Sequence, residues 1–177
     1  MKKKILLVLL IPVLYGLQSC DDARKAKNYN QEATVDQGGL NFIDNAMDGG
    51  RTEIKLSTVA QRISQNPRVL GFAKMMIGDH TSAIEELKKL QKKELVNPDD
   101  AISKPHRKII DSISKFTGSE FDKAYMQQMV TDHEKALDLF KEGSQDRANA
   151  VQSYAQKILP TIQMHLDSAR AINTALK

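Results

Sequence analysis

Cysteine is almost absent from this 177-residue chain: Cys20 stands alone, so no intramolecular disulfide can staple the fold. Tryptophan is missing, and aromatic residues make up 5% of the sequence. No apolar run approaches the ~20 residues that a bilayer-spanning helix requires. Strand-like alternation of apolar and polar residues is also missing, which argues against a sheet. There is no zinc-finger spacing, RNA-binding motif or aromatic stacking platform, so nucleic-acid binding is not expected. Nucleophile elbow, phosphate loop and dinucleotide fingerprint are likewise absent.

What the chain does have begins at its first residues. A basic cap, Met1-Lys2-Lys3-Lys4, leads into the apolar run 5–14 and then into Leu17-Gln18-Ser19-Cys20. That is the layout of a secretory signal. The small residue before Cys20, with Leu17 behind it, resembles the lipobox of bacterial lipoproteins. The resemblance implies removal of residues 1–19 and a thioether-linked diacylglycerol on Cys20, which makes a membrane the one partner the sequence names. It implies a cell-envelope location, expected at the outer membrane on its periplasmic or surface face. Asp21-Asp22 resembles the acidic sorting signal of some surface-exposed lipoproteins. The formal charge of +4 falls close to zero once Lys2, Lys3 and Lys4 leave with the signal. The apparent basicity therefore carries no message about partners.

Residues 20–39 read as the lipidated cysteine and a polar tether that ends at Gln37-Gly38-Gly39, because such a stretch buries too little to fold. Residues 40–177 suit one domain with its own core. Its punctuation is helical. Asn66-Pro67 and Asn97-Pro98 each offer an N-cap with proline at the first helical position. Gly118-Ser119 and Gly143-Ser144 each pair a glycine stop with a serine cap. The expected helices lie near 40–64, 67–95, 99–116 (short), 119–142 and 146–176, with Pro160 kinking the last.

Apolar residues recur at steps of three and four along each segment, so every helix presents one face to a core. The stripes run through Met76 and Leu87, through Met129 and Phe140, and through Ile162 and Ile172. Each carries one imidazole or carboxylate: Glu53, His80, His106, His133 and His165. A repeat at an offset of 53 relates residues 72–84 to 125–137, sharing Met-[Ile/Val]-x-Asp-His-x-x-Ala-[Ile/Leu].

Counting from the helix starts puts Glu53, His80 and His133 at one level if the second and fourth helices run parallel, ~20 Å from one end of the bundle. His106 falls near that level if the short helix packs alongside. His165 lands ~10 Å or more away by the same count. Glutamate and histidine converging inside a bundle make a metal site, and this donor set suits zinc, iron or manganese. Met76 and Met129, one turn before His80 and His133, would favour copper as ligands, or fill gaps in the core. Asp79 and Asp132 are placed to orient imidazoles. The metal candidates are thus Glu53, His80 and His133, with His106 and His165 behind them. The competing reading makes the histidines packing devices and lets Ile54, in place of Glu53, face the core.

Phe42…Gly49-Gly50…Glu53, then Phe72-Ala73…Asp79-His80, then Phe121-Asp122…Asp132-His133-Glu134-Lys135-Ala136 and Leu159-Pro160…His165 together resemble a bacterial envelope family, domain of unknown function family 4142, often labelled an outer membrane protein. The resemblance implies an all-α, ferritin-like four-helix bundle with an additional short connecting helix, and brings no established reaction. Thr81 follows the first Asp-His pair where Glu134 follows the second, which confines any role of that glutamate to Glu134. The leading reading is a membrane-tethered, non-enzymatic envelope lipoprotein binding a transition metal (zinc, iron, manganese or copper). The alternatives are a structural or partner-binding lipoprotein, with no protein partner indicated, and a metal-dependent oxidase or peroxidase. The sparse carboxylates and the missing Glu-x-x-His pair argue against oxygen chemistry.

Overall fold

Asp36 starts the first helix by accepting a hydrogen bond from Gly39 N at 3.0 Å. In the computed structural model, residues 35–93 and 101–176 are described; the signal segment, Cys20 and Asn97-Pro98 lie outside them. The helices are α1 (Gln37–Ile63), α2 (Pro67–Lys93), α3 (Lys104–Ile113), α4 (Gly118–Gly143) and α5 (Asn149–Ala175). Among the described residues the fold is all-α, with four long packed helices and one short one.

The caps explain where these boundaries depart from the sequence expectation. Gln37, Gly38 and Gly39 belong to α1, not to a tether, because the Asp36 cap recruits them. A side chain at Gly39 would collide with Val35 and crowd Val151, so glycine lets α5 approach there. Asn66 caps α2 as expected, its side-chain oxygen accepting from Arg68 N at 2.9 Å. The short helix starts at Lys104, after the N-cap Ser103 and with Pro105 in its first turn. At α4 the N-cap is Thr117, and Gly118, at φ +57°, takes the backbone out of the turn left by α3. Ser144 does not cap α5; its hydroxyl donates to Lys141 O, and Asp146 instead accepts from Ala148 N at 2.8 Å. α5 then continues through Pro160, which lies on the exposed side.

Cross-helix pairs fix the directions. Glu53 meets His133 and Ser57 meets Tyr125, so α1 and α4 are antiparallel. Asp79 meets His165 and Ala83 meets Tyr154, so α2 and α5 are antiparallel too. With only Ser64 to Asn66 between them, α1 and α2 form an antiparallel hairpin, which makes α2 and α4 parallel. α2 and α4 lie diagonally across the bundle, each packed against α1 and α5, and α3 belongs to the connection between them.

The stripes bury what their spacing requires: Met76, Leu87, Met129, Phe140 and Ile162 are buried, while Ile172 near the chain end is half-buried. The apolar interior is in two parts. One cluster holds Leu56, Phe72, Met76, Phe121, Tyr125, Met129 and Leu166. The other holds Phe42, Met47, Ile84, Leu87, Phe140, Tyr154 and Ile162. On every long helix the sequence passes from one cluster to the other across a polar position: Glu53, His80, His133 and His165.

Candidate metal centre

Those four positions meet in the middle of the bundle. Glu53 is 4% exposed, His80 8%, His133 0% and His165 1%, so all four side chains are buried. Each of the three imidazoles can present one nitrogen within 4.8 Å of the others'. Their ring centroids are 5.3 to 5.8 Å apart.

Hydrogen bonds assign the tautomers. His133 donates Nδ1–H to the Met129 carbonyl at 2.8 Å, so in the neutral ring Nε2 is the nitrogen that carries the lone pair. In His165 it is Nε2 that donates, to Asp79 Oδ2 at 2.9 Å, and Nδ1 that carries the lone pair. Both lone-pair nitrogens, His133 Nε2 and His165 Nδ1, are buried without a hydrogen-bond partner. Buried polar atoms are nearly always satisfied, which makes two such nitrogens in one layer unusual. His80 Nε2 stands 2.7 Å from Glu53 Oε2, a close ion-pair contact whose direction falls outside good hydrogen-bond geometry. The other Glu53 oxygen lies 3.4 Å from His133 Nδ1, whose proton is already committed to Met129.

The electrostatics follow from this crowding. Burial opposes charge on Glu53, but the surrounding imidazoles, His133 and His80 foremost, outweigh it and hold the carboxyl below the usual carboxylate range. Burial also works against a proton on His80, yet Glu53 outweighs burial and raises its affinity for one. For His165, burial and the two neighbouring imidazoles overcome the help of Asp79 and push it down to about 4. The layer thus holds one anionic carboxylate, draws a proton to His80 and keeps His165 neutral.

A cleft of about 840 Å³ opens onto the layer and reaches Glu53, His80 and His165. Gly50 forms its wall beside His80, and a Cβ there would lie 3.5 Å from His80 Nδ1 and 3.3 Å from Ile84.

Glu53, His80 and His133 come together as the spacing suggests, and Glu53 rather than the half-buried Ile54 takes the core phase. His165 joins them, against the expectation that it lies well below. Counting backbone rise ignores the lean of side chains toward their own helix N-terminus. Because α4 and α5 are antiparallel, His133 and His165 lean toward each other and close the gap. His106 lines the cleft but stands outside the three-imidazole group. Its Nδ1 is 2.8 Å from Asp48 Oδ2, while Asp48 Oδ1 accepts from Ser103 N at 2.9 Å. Burial disfavours charge on Asp48, but the hydrogen bonds from Ser103 and the His106 imidazole outweigh it and hold the carboxyl low. The Met76 and Met129 side chains are packed in the apolar cluster.

Asp79 does orient an imidazole, but His165 on α5 rather than its neighbour His80. Sequence reasoning missed that pairing; the Asp-His repeat hid it by suggesting the same role for both aspartates. Asp132 instead accepts from Gln128 on its own helix at 2.8 Å, and its Oδ2 is buried without a partner. Burial raises its carboxyl, with Gln128 acting in the opposite direction.

The model of the family described as domain of unknown function (DUF4142) matches residues 24–172. No curated protein matches the sequence. Among solved structures, the chain is similar to a DUF305 fragment from Deinococcus radiodurans, with a TM-score of 0.71 and 13% identity. The similarity covers 80% of this chain and 98% of that one, and at this identity it speaks for the fold alone.

Proposed function

From the premise that this chain belongs to the DUF4142 family, a domain of unknown function, we propose that it is a membrane-tethered lipoprotein of the cell envelope whose ferritin-like bundle holds a transition metal on His80, His133 and His165, with Glu53 beside them. The observation that carries this reading is the pair of buried, partnerless nitrogen lone pairs, His133 Nε2 and His165 Nδ1. In each ring the other nitrogen is fixed by an oxygen acceptor, Met129 O or Asp79 Oδ2. Metal-ligating imidazoles are ordinarily held in this way. A cation would also replace the proton drawn to His80 as the charge that balances buried Glu53. Three imidazoles and a carboxylate suit zinc, iron, manganese or copper. When bound, such an ion supplies Lewis acidity to a donor entering from the cleft.

A structural role for the histidines draws support from the His80–Glu53 contact, which satisfies both charges without a metal. It leaves the two lone pairs of His133 and His165 unexplained.

The test is metal analysis of the purified chain after exposure to zinc, iron, manganese or copper, alongside thermal unfolding. Stoichiometric uptake and a raised melting temperature are expected, both lost in His133→Ala and His165→Ala. No uptake of any of the four metals by the unaltered chain would end the reading. The anchor half has its own test: Cys20→Ser should move the protein from the membrane to the soluble fraction with its helical content unchanged.

A further inference from the structure

Surface charge is not spread evenly over the bundle. α1 and α5 end where α2 and α4 begin, and only Ser114 to Thr117 separate α3 from α4. The α1–α2 turn and the α3–α4 turn therefore share one end of the molecule. Exposed cations collect there: Arg62 and Arg68 on either side of the first turn, Lys108 on α3, Lys115 in the second turn and Lys123 near the start of α4. Against them stand the exposed Asp111 and Glu120. Among the described residues, none of these five cations is held in an ion pair. At the opposite end the signs interleave, with Lys92, Lys141 and Arg147 beside Asp36, Glu142 and Asp146.

One apolar side chain joins the cationic set. Phe116 is 43% exposed, follows Lys115 and shares a shallow groove with Lys123 and Asn173. A lone exposed ring needs no explanation. A ring set among unpaired cations suits the boundary of a bilayer, where lipid phosphates meet the cations and the ring enters the layer beneath. The spread of the charges points the same way. A small anion is held by donors converging on one point, whereas these cations are distributed over two turns and four helices. That arrangement matches an extended anionic plane. A single-stranded nucleic acid would call for a series of aromatic platforms, and this end exposes one ring.

We propose that this end of the bundle is a docking surface for an anionic phospholipid bilayer, with Lys115 and Lys123 on the lipid phosphates and Phe116 entered between the headgroups. It rests on the lipoprotein reading for bringing a bilayer within reach, and it is independent of the metal. The contact orients the bundle against the surface rather than anchoring it, because a few exposed cations bind weakly and their attraction is screened by salt.

The experiment uses the full chain with Cys20→Ser, which carries no lipid, sedimented at low salt with vesicles of phosphatidylglycerol and phosphatidylcholine. Binding should exceed that to phosphatidylcholine alone and should fade as salt is added. The neutral vesicles also register any attraction of the apolar segment 5–14. Lys115→Glu combined with Lys123→Glu should weaken binding to the anionic vesicles at least ~10-fold. Phe116→Ser should weaken it by a smaller factor. Lys88→Glu combined with Lys92→Glu, the same change of charge on exposed residues of the other half, should cost much less. All of these residues are exposed, so circular dichroism should show unchanged helical content. Equal losses in the two double variants mean that binding follows net charge, and they overturn the site. So does the absence of a preference for anionic vesicles, or undiminished binding by Phe116→Ser. Soluble polyphosphate bound through Lys115 and Lys123 as tightly as the vesicles overturns the bilayer as the partner. Fractionation of Cys20→Ser reads the anchor and the vesicles read this surface, so each can fail without the other.

Discussion

The two Asp-His blocks share one spaced motif, Met-x-x-Asp-His-x-x-Ala, on parallel helices, yet they end in different chemistry. In the α2 block, His80 faces Glu53 at 2.7 Å and the cleft, and Asp79 reaches across to His165. In the α4 block, His133 is fully enclosed with Nδ1–H on the Met129 carbonyl, and Asp132 stays with Gln128 on its own helix. The repeat fixes where side chains leave the helix; the neighbouring helix decides what they meet. α2 packs against α5 at this level, so its aspartate finds an imidazole. Asp132 finds none, and burial raises its affinity for a proton.

The sharpest way to break the comparison is to remove each imidazole. With metal at 100 times its Kd, the unaltered chain should gain ~2.7 kcal/mol of stability. His133→Ala should gain nothing, because the nitrogen lost is one with no alternative partner. His80→Ala should also lose the metal-linked gain, but here the metal-free protein should suffer too, since buried Glu53 is deprived of its close cationic partner. Melting curves with and without metal compare the two.

The aspartates should differ next. Asp79→Asn should weaken metal binding by about 10–100-fold by loosening His165. Asp132→Asn should leave affinity unchanged and hold or raise the melting temperature, because an amide replaces a buried carboxyl with an unpartnered oxygen. Equal losses in the two variants, measured by competition with a chelator, would show that the blocks are equivalent after all.

A smaller difference should appear in the acid dependence of the metal-free protein. His165 is pushed down to about 4, so between the ordinary imidazole pKa of ~6.5 and that value the unfolded chain takes a proton the folded chain refuses. Stability from this group therefore falls as pH drops through that window. His80 is raised, so its contribution is present below the ordinary value and is lost as pH rises through the folded one. Denaturation from pH 4 to 8 should show the acid-side loss relieved in His165→Gln, and the alkaline-side loss relieved in His80→Gln. The smallest effect belongs to the residue after each block. Glu134 pairs with Arg170 at 2.7 Å with both side chains about half exposed, so Glu134→Thr, which copies Thr81, should cost no more than ~1 kcal/mol by urea unfolding.

The bundle was legible in the sequence because stripes at helical spacing leave little choice of what to bury, and five of the six residues named for the core are buried. The parallel course of α2 and α4 was legible for a related reason: a connection with its own short helix is long enough to return the chain to the end from which α2 began. Glu53, His80 and His133 followed from counting along those helices. His165 did not, since counting has no access to side-chain lean. The start of α3 was misplaced because Asn97-Pro98 is a strong local cap signal, while Ser103 with Pro105 two residues later also fits a helix start. Asp36 was overlooked in favour of the two glycines behind it, of which Gly39 accepts a close approach by Val151, a partner that local sequence cannot show.

The polar layer that parts the apolar interior also has a consequence for how the molecule breathes. Each apolar cluster is contiguous within itself, and the two adjoin across a seam of imidazoles and one carboxylate. Such a seam divides a bundle into two cooperative blocks able to open separately. Amide hydrogen exchange should then resolve two protection levels, one for the block around Phe121 and Tyr125 and one for the block around Phe42 and Phe140. An ion bound at the seam would rivet the halves together, and the two levels should merge into one.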